Sequence, residues 1–117
     1  MAGFGDVLRA LAARDGVEAA LLLSGEGLPI EHAAAAGFDP DAVAALGATL
    51  ARAAAQLGDG ARRGELKTAV LDFAGGPLVL TRAGTGDWVA VLARPGADIG
   101  PLLFDLRHQR PALAGLL

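Results

Sequence analysis

Hydrophobic and polar positions alternate between two periods along the chain, and the switches mark its elements. From Gly5 to Asp15, Val7, Leu8, Leu11 and Ala12 recur at helical spacing, and Asp15-Gly16 closes the segment. Val17 to Ser24 (VEAALLLS) is apolar on both alternating faces, which predicts a central strand covered on both sides. After the turn Gly25-Glu26-Gly27, Leu28 to Ala34 (LPIEHAA) reads as its hairpin partner. Pro29 lacks a backbone donor, and Glu31 and His32 are polar, so this strand belongs at a sheet edge.

Ala35 to Phe38 leads into the stretch around which the chain is organised, Asp39 to Leu57. Asp39 suits an N-cap, Pro40 the first helical position, and Asp41 puts negative charge in the first turn. Val43, Leu46, Leu50 and Leu57 recur as a core-facing stripe should. The opposite face is Ala44, Ala45, Ala48, Thr49, Ala51, Arg52, Ala55 and Gln56, with little of the charge that solvates a surface helix. Such small residues admit a close neighbour. They predict a second packed face, against a copy of the chain or a partner.

Gly58 to Gly64 (GDGARRG) is a flexible connection. Three strands follow, Glu65 to Phe73, Pro77 to Arg82 and Asp87 to Ala93, with turns at Gly75-Gly76, Gly84-Thr85-Gly86 and Arg94-Pro95-Gly96. Ala97 to Gln109 carries Ile99, Leu102, Leu103 and Leu106 on one face, with Asp98 as N-cap and Pro111 ending the helix before an apolar tail, Leu113 to Leu117. The order α-β-β-α-β-β-β-α predicts an α+β fold, one antiparallel-rich sheet with helices on both faces. At 117 residues this is one domain.

Composition sharpens the reading. With 53% hydrophobic and 20% charged residues, the chain is ordered and carries more apolar surface than a well-solvated monomer needs. A net charge of -3 offers no basic footprint for nucleic acid or an anionic membrane. Cysteine is absent, which removes disulfides and thiol chemistry and suits a cytoplasmic protein. Heavy Ala, Gly and Arg use beside a single Lys points to a GC-rich genome. No apolar run approaches the roughly eighteen residues a membrane span needs. The opening MAGFGDVLRALAARDG is broken by Asp6, Arg9 and Arg14 and lacks a signal-peptide core.

Candidate chemistry is sparse. A phosphate-binding loop needs a Gly-rich turn ending in Lys-Ser or Lys-Thr, but Lys67-Thr68 lies in a predicted strand without the flanking spacing. Neither Gly58-Asp59-Gly60 nor Gly84-Thr85-Gly86 opens a helix, so neither is a dinucleotide fingerprint. His32 and His108 lie on different elements and do not form a zinc set. Ser24 lacks a nucleophile elbow, and the carboxylates Asp15, Glu26, Asp39, Asp59, Asp87 and Asp98 fall at caps and turns. Trp88 reads as a packing residue. No enzyme constellation and no cofactor or metal site emerges. Arg52 and Arg62-Arg63 read as solvated surface or as contacts to an acidic partner.

The whole pattern resembles the roadblock family, the dynein light chain roadblock type and its bacterial relatives. The matching stretches are LRALAARDGV (Leu8 to Val17), AALLLSGEGLPI (Ala19 to Ile30), the Asp-led alanine helix, Gly64-Glu65-Leu66, and DWVAVLARPGADIGPLLFDLR from Asp87. The chain end, Pro111 to Leu117, leaves no room for the C-terminal extension of some relatives.

This resemblance implies a five-stranded antiparallel sheet with the Leu28 and Glu65 strands at its edges, two helices on one face and the Asp39 helix on the other. It implies a homodimer joined through the Glu65 strands, with Glu65, Lys67, Ala69, Leu71, Ala44 and Ala51 at the interface. A small Ras-like GTPase would dock on the paired helices through Ala45, Ala48, Thr49, Arg52 and Gln56, and some relatives accelerate GTP hydrolysis without supplying an arginine finger. The alternative is a non-catalytic, light-chain-like adaptor of a larger assembly. A small-ligand sensor is disfavoured, because no pocket of convergent polar groups is evident.

Overall fold

A computed structural model describes residues 3–34 and 37–116, with side chains through His108. Ala35 and Ala36 of the expected lead-in and Leu117 of the expected tail lie outside the described residues. The elements run α1 (Phe4–Ala12), β1 (Val17–Leu23), β2 (Pro29–Ala33), α2 (Pro40–Gly60), β3 (Thr68–Phe73), β4 (Gly76–Ala83), β5 (Asp87–Ala93) and α3 (Gly100–Leu116). This is the order read from the sequence.

The five strands form one sheet in the order β2-β1-β5-β4-β3, every neighbouring pair antiparallel. β2 and β3 therefore lie at opposite edges, with α2 crossing between them. Alternation sorts the strand side chains into two layers. Ala20, Leu22, Val79, Val89 and Val91 meet Leu8 and Leu11 of α1 and Leu102 and Leu106 of α3. On the other face, Leu21, Leu23, Leu80, Trp88 and Ala90 meet α2.

Local chemistry sets the ends. The Asp39 carboxylate accepts from the N–H groups of Asp41 (3.1 Å) and Ala42 (3.3 Å), with Pro40 opening the helix. Asp98 Oδ1 accepts from Gly100 N at 3.0 Å and organises the start of α3. That helix continues through Pro111 to Leu116, so Pro111 does not end it as expected. A proline inside a helix removes one intrahelical donor and crowds the carbonyl four residues before it, which is why the residue pattern reads as a stop.

β3 starts at Thr68, three residues later than the sequence pattern predicts. Glu65 to Lys67 is nonetheless stapled to β4 by Arg82. Its backbone N–H donates to the Lys67 carbonyl at 3.0 Å and its Nε to the Leu66 carbonyl at 3.2 Å. The Arg82 guanidinium also lies 4.6 Å from the centre of the Trp88 ring.

Gly76 starts β4 with φ 122, where a Cβ would collide with the Ala93 carbonyl oxygen. The hairpin loop is therefore Ala74-Gly75, and Gly76 itself pairs with Phe73.

Candidate functional site

The faces of α2 are the reverse of those read from the sequence. Ala44, Ala48 and Ala51 are 0%, 1% and 4% exposed and pack on the chain's own sheet. Ala44 and Ala51, expected at a dimer interface, and Ala48, expected to meet a partner, are thus already covered. Leu46 and Leu57, expected in the core, are 69% and 73% exposed. Val43 and Leu50 are half-buried at the margin. The reason is steric. The sheet face beneath α2 carries large side chains, Leu21, Leu23, Leu80 and Trp88, and a helix fits closely over them only through its small residues.

The two flanks of α2 differ. On the flank nearer β2, Ala45, Thr49, Arg52 and Gln56 are exposed. Arg52 donates to the Gly25 carbonyl at 3.0 Å and to Thr49 Oγ1 at 3.3 Å, and Thr49 donates to the Ala45 carbonyl at 2.9 Å. Arg52 thus ties α2 to the β1–β2 turn. Leu28 and Ile30 stand exposed close by.

On the flank nearer β3, Val43, Leu46 and Leu50 overhang Leu71, Phe73 and Leu78 and enclose an apolar groove of about 380 Å³. Phe73 is 57% exposed. Leu57 continues the row at helical spacing. Fully burying an exposed side chain of this size contributes about 1.5–3 kcal/mol, and Leu46 and Phe73, already partly covered, would contribute less than that on assembly.

The sheet edges differ as well. β2 is five residues long, contains Pro29, Glu31 and His32, and pairs with β1 through an irregular register. It is blunted against further pairing. β3 is a regular six-residue strand without proline. Arg82 N–H bonds to the Lys67 carbonyl in the register of the β3–β4 ladder, so the backbone groups of Ala69, Leu71 and Phe73 also point toward β4. Those of Thr68, Val70 and Asp72 point outward, along an edge that no other strand among the described residues covers.

Of the residues expected at the dimer interface, Leu71 floors the groove and Ala69 packs on the α2 side of the sheet. Glu65 and Lys67 precede β3, and the Glu65 carboxylate stands 3.9 Å from Arg82 Nε. Leu46 and Leu57, read from sequence as core positions, and Val70 and Phe73, not expected at any interface, are exposed here as well. The signal was there in a helix apolar nearly all round, which has more apolar faces than one monomer can cover.

Among the described residues, no group of three or more His, Asp or Glu could hold a metal ion, and no helix is long and apolar enough to cross a membrane.

The fold has clear counterparts among solved structures. A Roadblock/LC7 domain from Streptomyces avermitilis superposes with a TM-score of 0.82 at 25% identity, over 96% of this chain and 98% of that one. Myxococcus xanthus MglB matches at 0.87 with 18% identity, covering 96% of this chain and 92% of its own. The gliding protein MglB from Thermus thermophilus matches at 0.82 with 22% identity, covering 95% and 85%. No curated protein sequence matches the chain. The sequence model of the Roadblock/LC7 domain matches residues 3–93, the whole sheet with α1 and α2, and the chain belongs to that family.

Proposed function

We propose that the protein is a homodimeric platform that binds a small Ras-like GTPase and modulates or scaffolds its GTP cycle. The observation that carries this reading is the open β3 edge lying beside the overhanging leucine row of α2. A regular, proline-free edge next to an apolar groove is a liability in a monomer and an asset in a symmetric dimer.

The edge also specifies a register. A two-fold axis normal to the sheet keeps both α2 helices on one face, so paired residues must share a face. Their positions then have the same parity. The outward groups of Thr68, Val70 and Asp72 are all used when Val70 pairs with the partner's Val70 and Thr68 with the partner's Asp72. On the α2 face Ala69 then lies opposite the partner's Leu71, and the two leucine rows face one another.

The GTPase would dock on the outer flanks, at Ala45, Thr49 and Gln56, with Arg52 holding the turn beneath. Arg52 is bonded to Gly25 and is not offered as a catalytic finger. The chain itself contributes positioning, not chemistry.

The test is binding of purified protein to the Ras-like GTPase encoded nearest to it, loaded with GDP or a non-hydrolysable GTP analogue. GTP-selective binding or a changed hydrolysis rate supports the reading. Equal affinity for both states favours the adaptor alternative, and no complex with either state rejects the GTPase assignment.

A further inference from the structure

Asp72 is an exposed carboxylate near the C-terminal end of an edge strand, and among the described residues no cation lies within 4 Å of it. Aspartate is disfavoured in strands, and a bare charge on an edge opposes pairing. On the same sheet edge, Arg63, Glu65, Leu66, Lys67, Thr68 and Arg107 line an open cleft of about 590 Å³. Its three cations come from the loop after α2, the approach to β3, and α3.

Most other cations with described side chains are engaged. Arg9 pairs with Asp6, Arg14 with Asp105, Arg94 with Asp15 and Arg82 with Glu65, while Arg52 holds Gly25. Among the described residues, Arg63, Lys67 and Arg107 have no carboxylate within 4 Å. Glu65, the carboxylate on the cleft wall, faces Arg82. In a chain of net charge -3, this leaves a basic cleft at one end of β3 and a free carboxylate near the other.

We infer that the partner copy's Asp72 enters this cleft, and that two such reciprocal contacts make the β3 edge selective for a second copy of this chain. The inference rests on the dimer of the preceding section. When Val70 pairs with its copy, Thr68 lies opposite the partner's Asp72 on the face that carries α3, and Thr68 lines the cleft. Directly opposed side chains in an antiparallel pair stand about 5 Å apart at Cβ, which brings the partner's Asp72 to the mouth of the cleft that Lys67 and Arg107 also line. Shifting the pairing by two residues toward the C-terminus would set Asp72 against its own copy, and like charges directly opposite destabilise a ladder. A foreign strand without matching cations would leave Asp72 unpaired. The same charges therefore fix register and exclude other partners.

A charge swap tests this. Asp72→Lys and the double variant Lys67→Glu/Arg107→Glu change only exposed side chains. Each alone should weaken its own dimer at least tenfold, measured by sedimentation equilibrium. An equimolar mixture should recover dimers, because each seam then joins opposite charges. If either variant dimerises like the original protein, or the mixture does not recover, the charge contact is overturned. As a second measurement, the original dimer should weaken between 50 and 500 mM NaCl while Asp72→Asn shows a flatter dependence; identical salt slopes count against it. Cross-linking through Val70→Cys separates the two readings: if it forms while the swap has no effect, the dimer stands and the Asp72 contact falls, and if it does not form, the register itself fails.

Discussion

The Arg52 guanidinium donates to the carbonyl of Gly25 at 3.0 Å, joining the middle of α2 to the turn between β1 and β2 across 27 positions of chain. Gly27 in that turn lies under α2 as well, where an added Cβ would stand 3.2 Å from the Ala45 Cα. The turn and the helix are one unit. Replacing Arg52 with Ala should destabilise the fold by about 0.5–1 kcal/mol, as its two exposed hydrogen bonds, to Gly25 and Thr49, are lost. Urea unfolding reads the energy, and faster amide exchange at Gly25 to Gly27 reads its location.

Leu46→Glu separates assembly from folding. Leu46 is 69% exposed in the monomer, so the fold should change by no more than about 0.5 kcal/mol. In the proposed dimer, the charge would fall in the apolar seam and raise the dissociation constant by about a hundredfold. Ala48→Glu should do the opposite, unfolding the chain because a carboxylate would be buried against Trp88 and Leu80. Thermal melting together with light scattering distinguishes the two outcomes.

Val70→Cys should form a disulfide-linked dimer under mild oxidation. The pair at the axis would have Cα atoms about 5.5 Å apart, inside the range a disulfide spans. The chain has no other cysteine, so any covalent dimer reports on this position. Thr68→Cys, four residues from its copy in that register, should remain monomeric on non-reducing gels.

Arg62→Gly should stabilise the protein by about 1 kcal/mol. α2 ends with Arg62 N–H bonded to the Asp59 carbonyl at 3.1 Å and Arg63 N–H to the Gly58 carbonyl at 2.8 Å, around a residue at φ 55. That left-handed position after a helix favours glycine, and an arginine there is strained. Denaturant midpoints of the two proteins provide the measurement.

Gly76→Ala should cost at least about 2 kcal/mol, because φ 122 is unfavourable for alanine and its Cβ would meet the Ala93 carbonyl oxygen. A lower melting temperature with dimerisation retained below it is the expected result.

Much of this architecture was legible from residue pattern. Alternation in VEAALLLS and DWVAVLA, glycine-rich turns and the Asp39-Pro40 start define local structure within a few residues, and these signals need no tertiary partner. The edge position of β2 was legible from Pro29 and Glu31 for the same reason. The start of β3 was not, because Glu65 to Lys67 has strand-like residues but is held by the distant Arg82 instead of by a regular ladder. Nor was the passage of α3 through Pro111, where local propensity reads as a stop.

The sequence by itself determined the element order, the two-layered sheet and the fact that α2 is apolar on more than one face. Only the tertiary structure decided which face meets the sheet. Helical periodicity ranks stripes by hydrophobicity and favours the leucines, whereas packing selects by shape. Over a floor of Leu21, Leu23, Leu80 and Trp88 the alanine stripe comes close enough to exclude voids. The leucines are left at the rim, beside the open edge of β3, where a second molecule can cover them.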